Sequence, residues 1–263
     1  MPSSVALPLV SVAALVMVGS VSAPRREGSS SPALRWFHGT TVPAAISILR
    51  QGPRGRSDFG RSFMAPLQGR VYLSRELPYA LAYTFGGLTE AEDGVLRTSG
   101  RAIEGGLVEV GVDLDRCVPD EDWLGELMME VVVARKERSA SRPGIRAPSP
   151  KRGGAAFDLA HTAFLHLSAE TQRRWMAYRG TQLDEYSIWA RSGKTAIRQL
   201  ERTRAGRELL RALTGLAPHV ACEQDQVHPL RGWALRRADL HRLSPDGQNL
   251  DTVGAPLASE ITA

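Results

Sequence analysis

Trp36-Phe37-His38-Gly39-Thr40-Thr41, then Arg70-Val71-Tyr72-Leu73-Ser74, then Glu76-Leu77-Pro78-Tyr79-Ala80-Leu81-Ala82-Tyr83-Thr84-Phe85-Gly86, is the stretch on which the fold turns. The first run reads as a strand that carries a histidine into a loop. Thr40 or Thr41 can cap a helix behind it, with Pro43 tolerated in the first turn. Val42, Ala45, Ile46 and Leu49 fall at i, i+3, i+4 and i+7, one apolar helical face, and Gly52 suits the C-terminal stop. In the second run Val71 and Leu73 point one way, Tyr72 and Ser74 the other. The third run reads as a helix burying Leu77, Ala80, Leu81 and Thr84. Tyr79 and Tyr83 sit four apart on another of its faces. A polar strand tip facing an aromatic wall suits a flat heterocycle joined to a sugar.

Working outward, the chain of 263 residues is 43% hydrophobic and 23% charged, enough for one sizeable core. Its formal net charge is +5, which favours acidic partners such as nucleotides or RNA without specifying a fold. No stripe of arginines interleaved with aromatics marks a nucleic-acid surface. Residues 1–23 are apolar but interrupted by Pro8. The run is too short to span a bilayer, so no stable membrane association is expected. It resembles a signal-peptide core without the basic residues that usually precede one, and a start site lying further downstream explains it equally well. Residues 24–33 read as a connector.

Residues 53–69, with three glycines and two prolines, read as a loop covering something, and 86–106 as irregular. Val108, Val110, Val112 and Leu114 alternate with Glu109, Gly111 and Asp113, a half-buried strand. Pro119-Asp120-Glu121-Asp122 opens a helix whose acids complement its dipole. Leu124, Leu127, Met128 and Val131 form its buried face. Glu121 and Glu126 read there as helix-start and surface acids. Residues 138–154 form a basic Pro/Gly/Ser loop, and 182–189 are ambiguous between helix and strand. Residues 194–213 read as one helix with Ile197, Leu200, Leu209, Leu210 and Leu213 buried. Lys194, Arg198 and Arg202 on it read as a solvated basic face. His219–Pro229 reads as a strand, a polar turn and an entry to the next segment, and Gly254 onward as a tail. The expected organisation is a segment 1–32, one domain over 33–250 and a tail 251–263.

Cys117 and Cys222 are too few for a disulfide framework; they read as ordinary semi-buried thiols, with pairing open if the protein is exported. The chain has no Cys-x-x-Cys or His-Glu-x-x-His for zinc, no Gly-x-Ser-x-Gly, and no glycine fingerprint of a P-loop or dinucleotide fold.

His-Gly-Thr at a strand end, an Ala-containing helix closing on Ile48-Leu49-Arg50-Gln51-Gly52, then Val71-Tyr72-Leu73-Ser74 and an Ala/Tyr helix, resembles the ADP-ribosyltransferase fold. That fold is shared by poly(ADP-ribose) polymerase catalytic domains, bacterial ADP-ribosylating toxins and tRNA 2′-phosphotransferases. The motifs cover Trp36 to Gly86 and the remainder only in outline. The resemblance implies an α+β fold of split antiparallel sheets with flanking helices. It implies NAD as a substrate, cleaved to release nicotinamide, with ADP-ribose passed to a protein, nucleic acid or water. By the same resemblance His38 would bind the adenosine-side ribose, Gly39 and Thr40 the nicotinamide carboxamide, and Tyr72 and Tyr83 would sandwich the ring, with Ser74 lining the pocket. The family's third element is an acid on a late strand. Glu223 is the first choice, with Gln226 its neighbour and Glu185, in Asp184-Glu185-Tyr186-Ser187-Ile188, a competitor. A tRNA 2′-phosphotransferase-like activity is a second reading, opposed by the short segment before His38. A binding module that kept the fold and lost the acid is a third.

Overall fold

Every strand pairing in the sheet is antiparallel, and the order is not the order of the chain. In the computed structural model, which describes residues 35–54, 67, 69–85, 88–90, 96–98, 102–140, 154–178 and 185–257, seven strands form one sheet in the order β6-β7-β2-β1-β5-β8-β9. These are β1 (Trp36–Thr40), β2 (Arg70–Ser74), β5 (Glu104–Val112), β6 (Cys117–Pro119), β7 (His219–Glu223), β8 (Val227–Arg236) and β9 (Ala255–Pro256). A separate hairpin joins β3 (Leu88–Glu90) to β4 (Leu96–Thr98). The helices are α1 (Val42–Gln51), α2 (Leu77–Phe85), α3 (Glu121–Ala140), α4 (Ala155–Leu165), α5 (Ala169–Ala177), α6 (Glu185–Leu200), α7 (Arg204–Leu216) and α8 (Leu250–Val253). The fold class is therefore α+β. Leu34 onward makes one unit. The apolar segment 1–23, its connector, most of the 53–69 loop, the basic loop from 141 to 153 and the last six residues lie outside the described residues.

Local chemistry explains the first elements. The Thr41 hydroxyl accepts from the Ala44 N–H, and Gly52, at φ 77°, ends α1 with its N–H on the Ile48 carbonyl. Period-two alternation then sorts the strands. Trp36, Val71, Leu73, Val108, Val110, Val220 and Cys222 pack with Ala45 and Leu49 of α1 on one face. Phe37 and Leu107 meet Leu77, Ala80, Leu81 and Phe85 of α2 on the other. Further along that second face, Val118 and Ala221 are covered by α3, α4, α6 and α7. Glu109 is buried at the sheet's far side. Burial works to raise its pKa, but two hydrogen bonds from Arg35 and one from Arg231 outweigh that and hold it low.

Several segments differ from the sequence reading. The 86–106 stretch contains the β3–β4 hairpin. The 194–213 helix is two: α6 ends at Leu200, and α7 restarts after Thr203 caps the Gly206 N–H. A β-carbon on Gly206 would lie 2.1 Å from the Leu200 carbonyl oxygen, so glycine lets the second helix fold back on the first. Of the ambiguous 182–189 region, residues 185–189 belong to α6 and 182–184 lie outside the described residues. The expected tail contributes β9, paired with β8 through Trp233 and Ala234. Cys117 and Cys222 are bonded to each other, not free thiols. The β6–β7 register sets them directly opposite, a proximity that no spacing in the sequence discloses.

Candidate functional site

The sheet has a weak line between β1 and β2. Five residues of β1 pair with β5, and five of β2 pair with β7. Among the described residues of β1 and β2, the one register pair is Phe37 with Ser74. Alternation gives Gly39 the backbone orientation of Phe37, so its N–H and C=O face the β2 side, past the last pair. His38 bridges this seam. Its Nδ1 lies 2.9 Å from the Tyr72 carbonyl oxygen. A carbonyl only accepts, so Nδ1 carries the proton and Nε2 is left as an acceptor. Burial lowers the pKa of the ring, which favours this neutral form, although the backbone hydrogen bond opposes the shift.

Tyr72 is the hub on the other side of the seam. Its hydroxyl lies 2.7 and 2.9 Å from the two oxygens of the Glu121 carboxylate and accepts from the Leu67 N–H at 2.7 Å. Burial, followed by the adjacent Glu121 charge, pushes the phenol far above its usual range, so it stays a donor. Glu121 is only 2% exposed. It occupies the first turn of α3, beside the orphan N–H groups that favour an anion there. Asp120, 3% exposed, caps this turn by accepting from the N–H groups of Asp122 and Trp123. The Asp122 Oδ1 is buried with no hydrogen-bond partner among the described residues. Burial and neighbouring like charges raise Asp120 to about 6 and Asp122 to about 7.

Helix α6 closes the site from the far side. A β-carbon at Gly193 would lie 1.7 Å from the Glu121 carbonyl oxygen. Glycine is thus what allows α6 to rest on the acid turn. The next residue, Lys194, places its ammonium 3.9 Å from Glu121 Oε1.

The aromatic wall is partly as expected. Tyr79 and Tyr83 share a hydroxyl contact of 3.1 Å, and their rings meet edge-on. Tyr79 stacks on His219 at 3.5 Å between ring centroids. Among the described residues no ring contact joins Tyr72 to Tyr83, which is 62% exposed. Ser74 is buried. Its hydroxyl holds both backbone groups of Glu76 and receives His219 Nδ1 at 2.9 Å. The His219 Nε2 lies 3.6 Å from Glu76, but burial pushes that ring down to about 4 and leaves it neutral, so no ion pair forms near neutral pH. Gly39 is also required by the packing of α2. A β-carbon there would sit 1.7 Å from the Ala80 carbonyl oxygen, so what approaches its backbone is α2. Thr40 ends β1 at the seam.

Among the described residues, neither Glu223 nor Gln226 has a hydrogen bond with Tyr72. Glu223 lies on Tyr72's face of the sheet, opposite Arg70 and two residues beyond Ala221. Its carboxylate turns instead to Arg116 at 3.4 Å, in a surface groove of about 200 Å³ lined also by Arg207 and Arg211. Gln226 lies past it in the turn to β8. Glu185 opens a helix, not a strand. Glu121, assigned to a helix start, is the acid that Tyr72 holds. Its partners come from Tyr72 on β2 and the α6 turn at Gly193, which local periodicity does not report. Three consecutive acids, more than one helix start needs, were the available signal.

Among the described residues no group of His, Cys, Asp and Glu has a metal-binding arrangement, and no helix is long and apolar enough to cross a membrane. Compared with family models, curated proteins and solved structures, the chain matches none.

Proposed function

We propose that this chain is an NAD-dependent ADP-ribosyltransferase whose acid is Glu121. The observation that carries the reading is the Tyr72–Glu121 pair beside a seam where β1 and β2 share one register pair. In such a reaction the bond between nicotinamide and ribose breaks. Its electron pair leaves with the ring, which departs neutral, and the ribose becomes cation-like until an acceptor oxygen or nitrogen attacks it. The catalyst therefore needs a fixed anion near the ribose and a grip on both halves of the dinucleotide.

The residues present fit that need. Tyr72 engages both oxygens of Glu121 and fixes the carboxylate's orientation before substrate arrives, so little reorganisation accompanies the developing charge. The Gly39 backbone, directed at the seam, would hold the carboxamide. The His38 Nε2 would accept from a ribose hydroxyl. Tyr83 offers an exposed ring on which a planar base can stack. The acceptor is a protein, a nucleic acid or water.

The deciding experiment measures nicotinamide release from NAD by the full chain and by Glu121→Gln. Release that falls about 10²–10³-fold in the variant supports the reading. No release together with no NAD binding overturns it.

A further inference from the structure

We infer that Lys194 is a positioning residue for the acid turn, holding the Glu121 carboxylate toward Tyr72 against the repulsion of Asp120 and Asp122. This rests on the ADP-ribosyltransferase reading for its catalytic consequence, but the contact itself does not.

Three carboxylates in succession crowd one helix start. Asp120 is 3% exposed and Glu121 2%, so water screens them poorly. The groups that face Glu121 can be named element by element. From β2 comes the Tyr72 hydroxyl, neutral and donating. From its own helix come Asp120 and Asp122, both anionic when ionised. From α2, Tyr83 feels Asp120, Asp122 and Glu121: burial raises its phenol most, the Tyr79 hydrogen bond opposes that, and the acid charges add to it, while Tyr79, raised by burial, feels Asp120 and Asp122. From β7, His219 gives its carbonyl to the Asp120 N–H and is neutral. From α6 comes Lys194, the cation in this set, with its side chain 16% exposed and its ammonium 3.9 Å from Glu121 Oε1.

The approach is built into the backbone. Gly193 rests against the Glu121 carbonyl at a distance no other residue tolerates. Lys194 follows directly, so the ammonium is delivered by helix packing and not by a long flexible reach from solvent. An opposite charge at such a distance attracts the carboxylate and fixes which way it faces. Lys194 also lowers Asp122, opposing the burial and the neighbouring acids that raise it. A basic residue on a solvated face would do neither.

The test uses the full chain. Nicotinamide release from NAD is followed against pH for the parent, Lys194→Met and Lys194→Arg, and urea unfolding is measured for Lys194→Met, Glu121→Gln and the double variant. The Met variant is expected to lose about tenfold in kcat with KM little changed, as for an interaction made in the transition state. Its deficit is expected to be larger at pH 8 than at pH 6, because Asp122, raised to about 7, is ionised at the higher pH and then repels the carboxylate that Lys194 no longer holds. The Arg variant, which keeps the charge, should recover most of the rate. The unfolding midpoints should be non-additive, as for two residues in contact. A Met variant with the parent's kcat and pH profile overturns the proposal. Should the parent release no nicotinamide and bind no NAD, the ADP-ribosyltransferase reading falls alone. The unfolding cycle then decides: additive midpoints overturn the Lys194–Glu121 contact, and non-additive ones uphold it.

Discussion

The Tyr72 hydroxyl binds both oxygens of the Glu121 carboxylate, at 2.7 and 2.9 Å, across 49 positions of sequence. One residue is the centre of a strand and the other the first residue of a helix, so the pair fastens β2 to α3 at the seam. Tyr72→Phe removes the donor, leaves a buried carboxylate short of a partner and orphans the Leu67 N–H. Equilibrium urea unfolding should show a loss of about 1.5–3 kcal/mol, the range for a hydrogen bond to a charged group.

Glu223 gives the opposite expectation. Its side chain is 45% exposed and pairs with Arg116, itself 54% exposed. Glu223→Gln should change stability by less than about 1 kcal/mol and leave nicotinamide release at the parent rate. A large loss of release in this variant would return the catalytic acid to β7.

The acid turn sets a pH dependence. Asp122 titrates near 7 in the folded protein against an ordinary value of 3.8. Between those two values the folded state binds more protons than the unfolded one, so this group lowers stability as pH rises, and the penalty is complete above about 7. Asp122→Asn should therefore raise the urea midpoint more at pH 8 than at pH 4. His219, lowered to about 4, acts in a lower window. Its contribution is full above its unfolded value of 6.5 and is lost as pH falls toward 4. Comparing Asp122→Asn with the parent at each pH cancels the histidine. An equal shift at both pH values would show that Asp122 is not perturbed.

The disulfide should be felt throughout the fold. It closes a sequence separation of 105 residues and ties the three-residue edge strand β6 to β7. In the chain-entropy account a loop of that length is worth up to about 4.7 kcal/mol. A Cys117→Ala/Cys222→Ala variant should unfold at lower urea than the oxidised parent, and reductant should lower the parent and leave the variant unmoved.

Gly193→Ala tests the close approach of α6. The added methyl meets the backbone of Glu121, not the end of a flexible side chain. Overpacking of that kind costs about 1–3 kcal/mol, and the loss should exceed that of Gly154→Ala, where nothing lies within 4 Å.

Much of the scaffold was legible before the fold was known. The cap at Thr40 or Thr41, which falls to Thr41, the stop at Gly52 and the buried set Leu77, Ala80, Leu81 and Thr84 follow from local pattern, and each is set by neighbours within one or two turns. Leu124, Met128 and Val131 were readable for the same reason. The candidate site was readable only in half. Tyr72 stands out on its strand, but what its hydroxyl reaches depends on β7 lying beside β2 and β6 beside β7, a sheet order that no local period encodes. Lys194 looked like one of three evenly spaced cations, and only the packing at Gly193 separates it from the others. Cys117 and Cys222 likewise become neighbours through register alone.

The position of β7 also has a meaning in time. Tyr72 and Glu121 belong to segments joined through a strand that begins at His219. At about 5–20 residues per second, the chain between Cys117 and its partner takes on the order of 5–20 s to synthesise. Throughout that interval the nascent protein already carries its tyrosine and its acids but not the strand that holds them in register. The Tyr72–Glu121 pair can therefore be held in register by the sheet only once the chain has been made through β7.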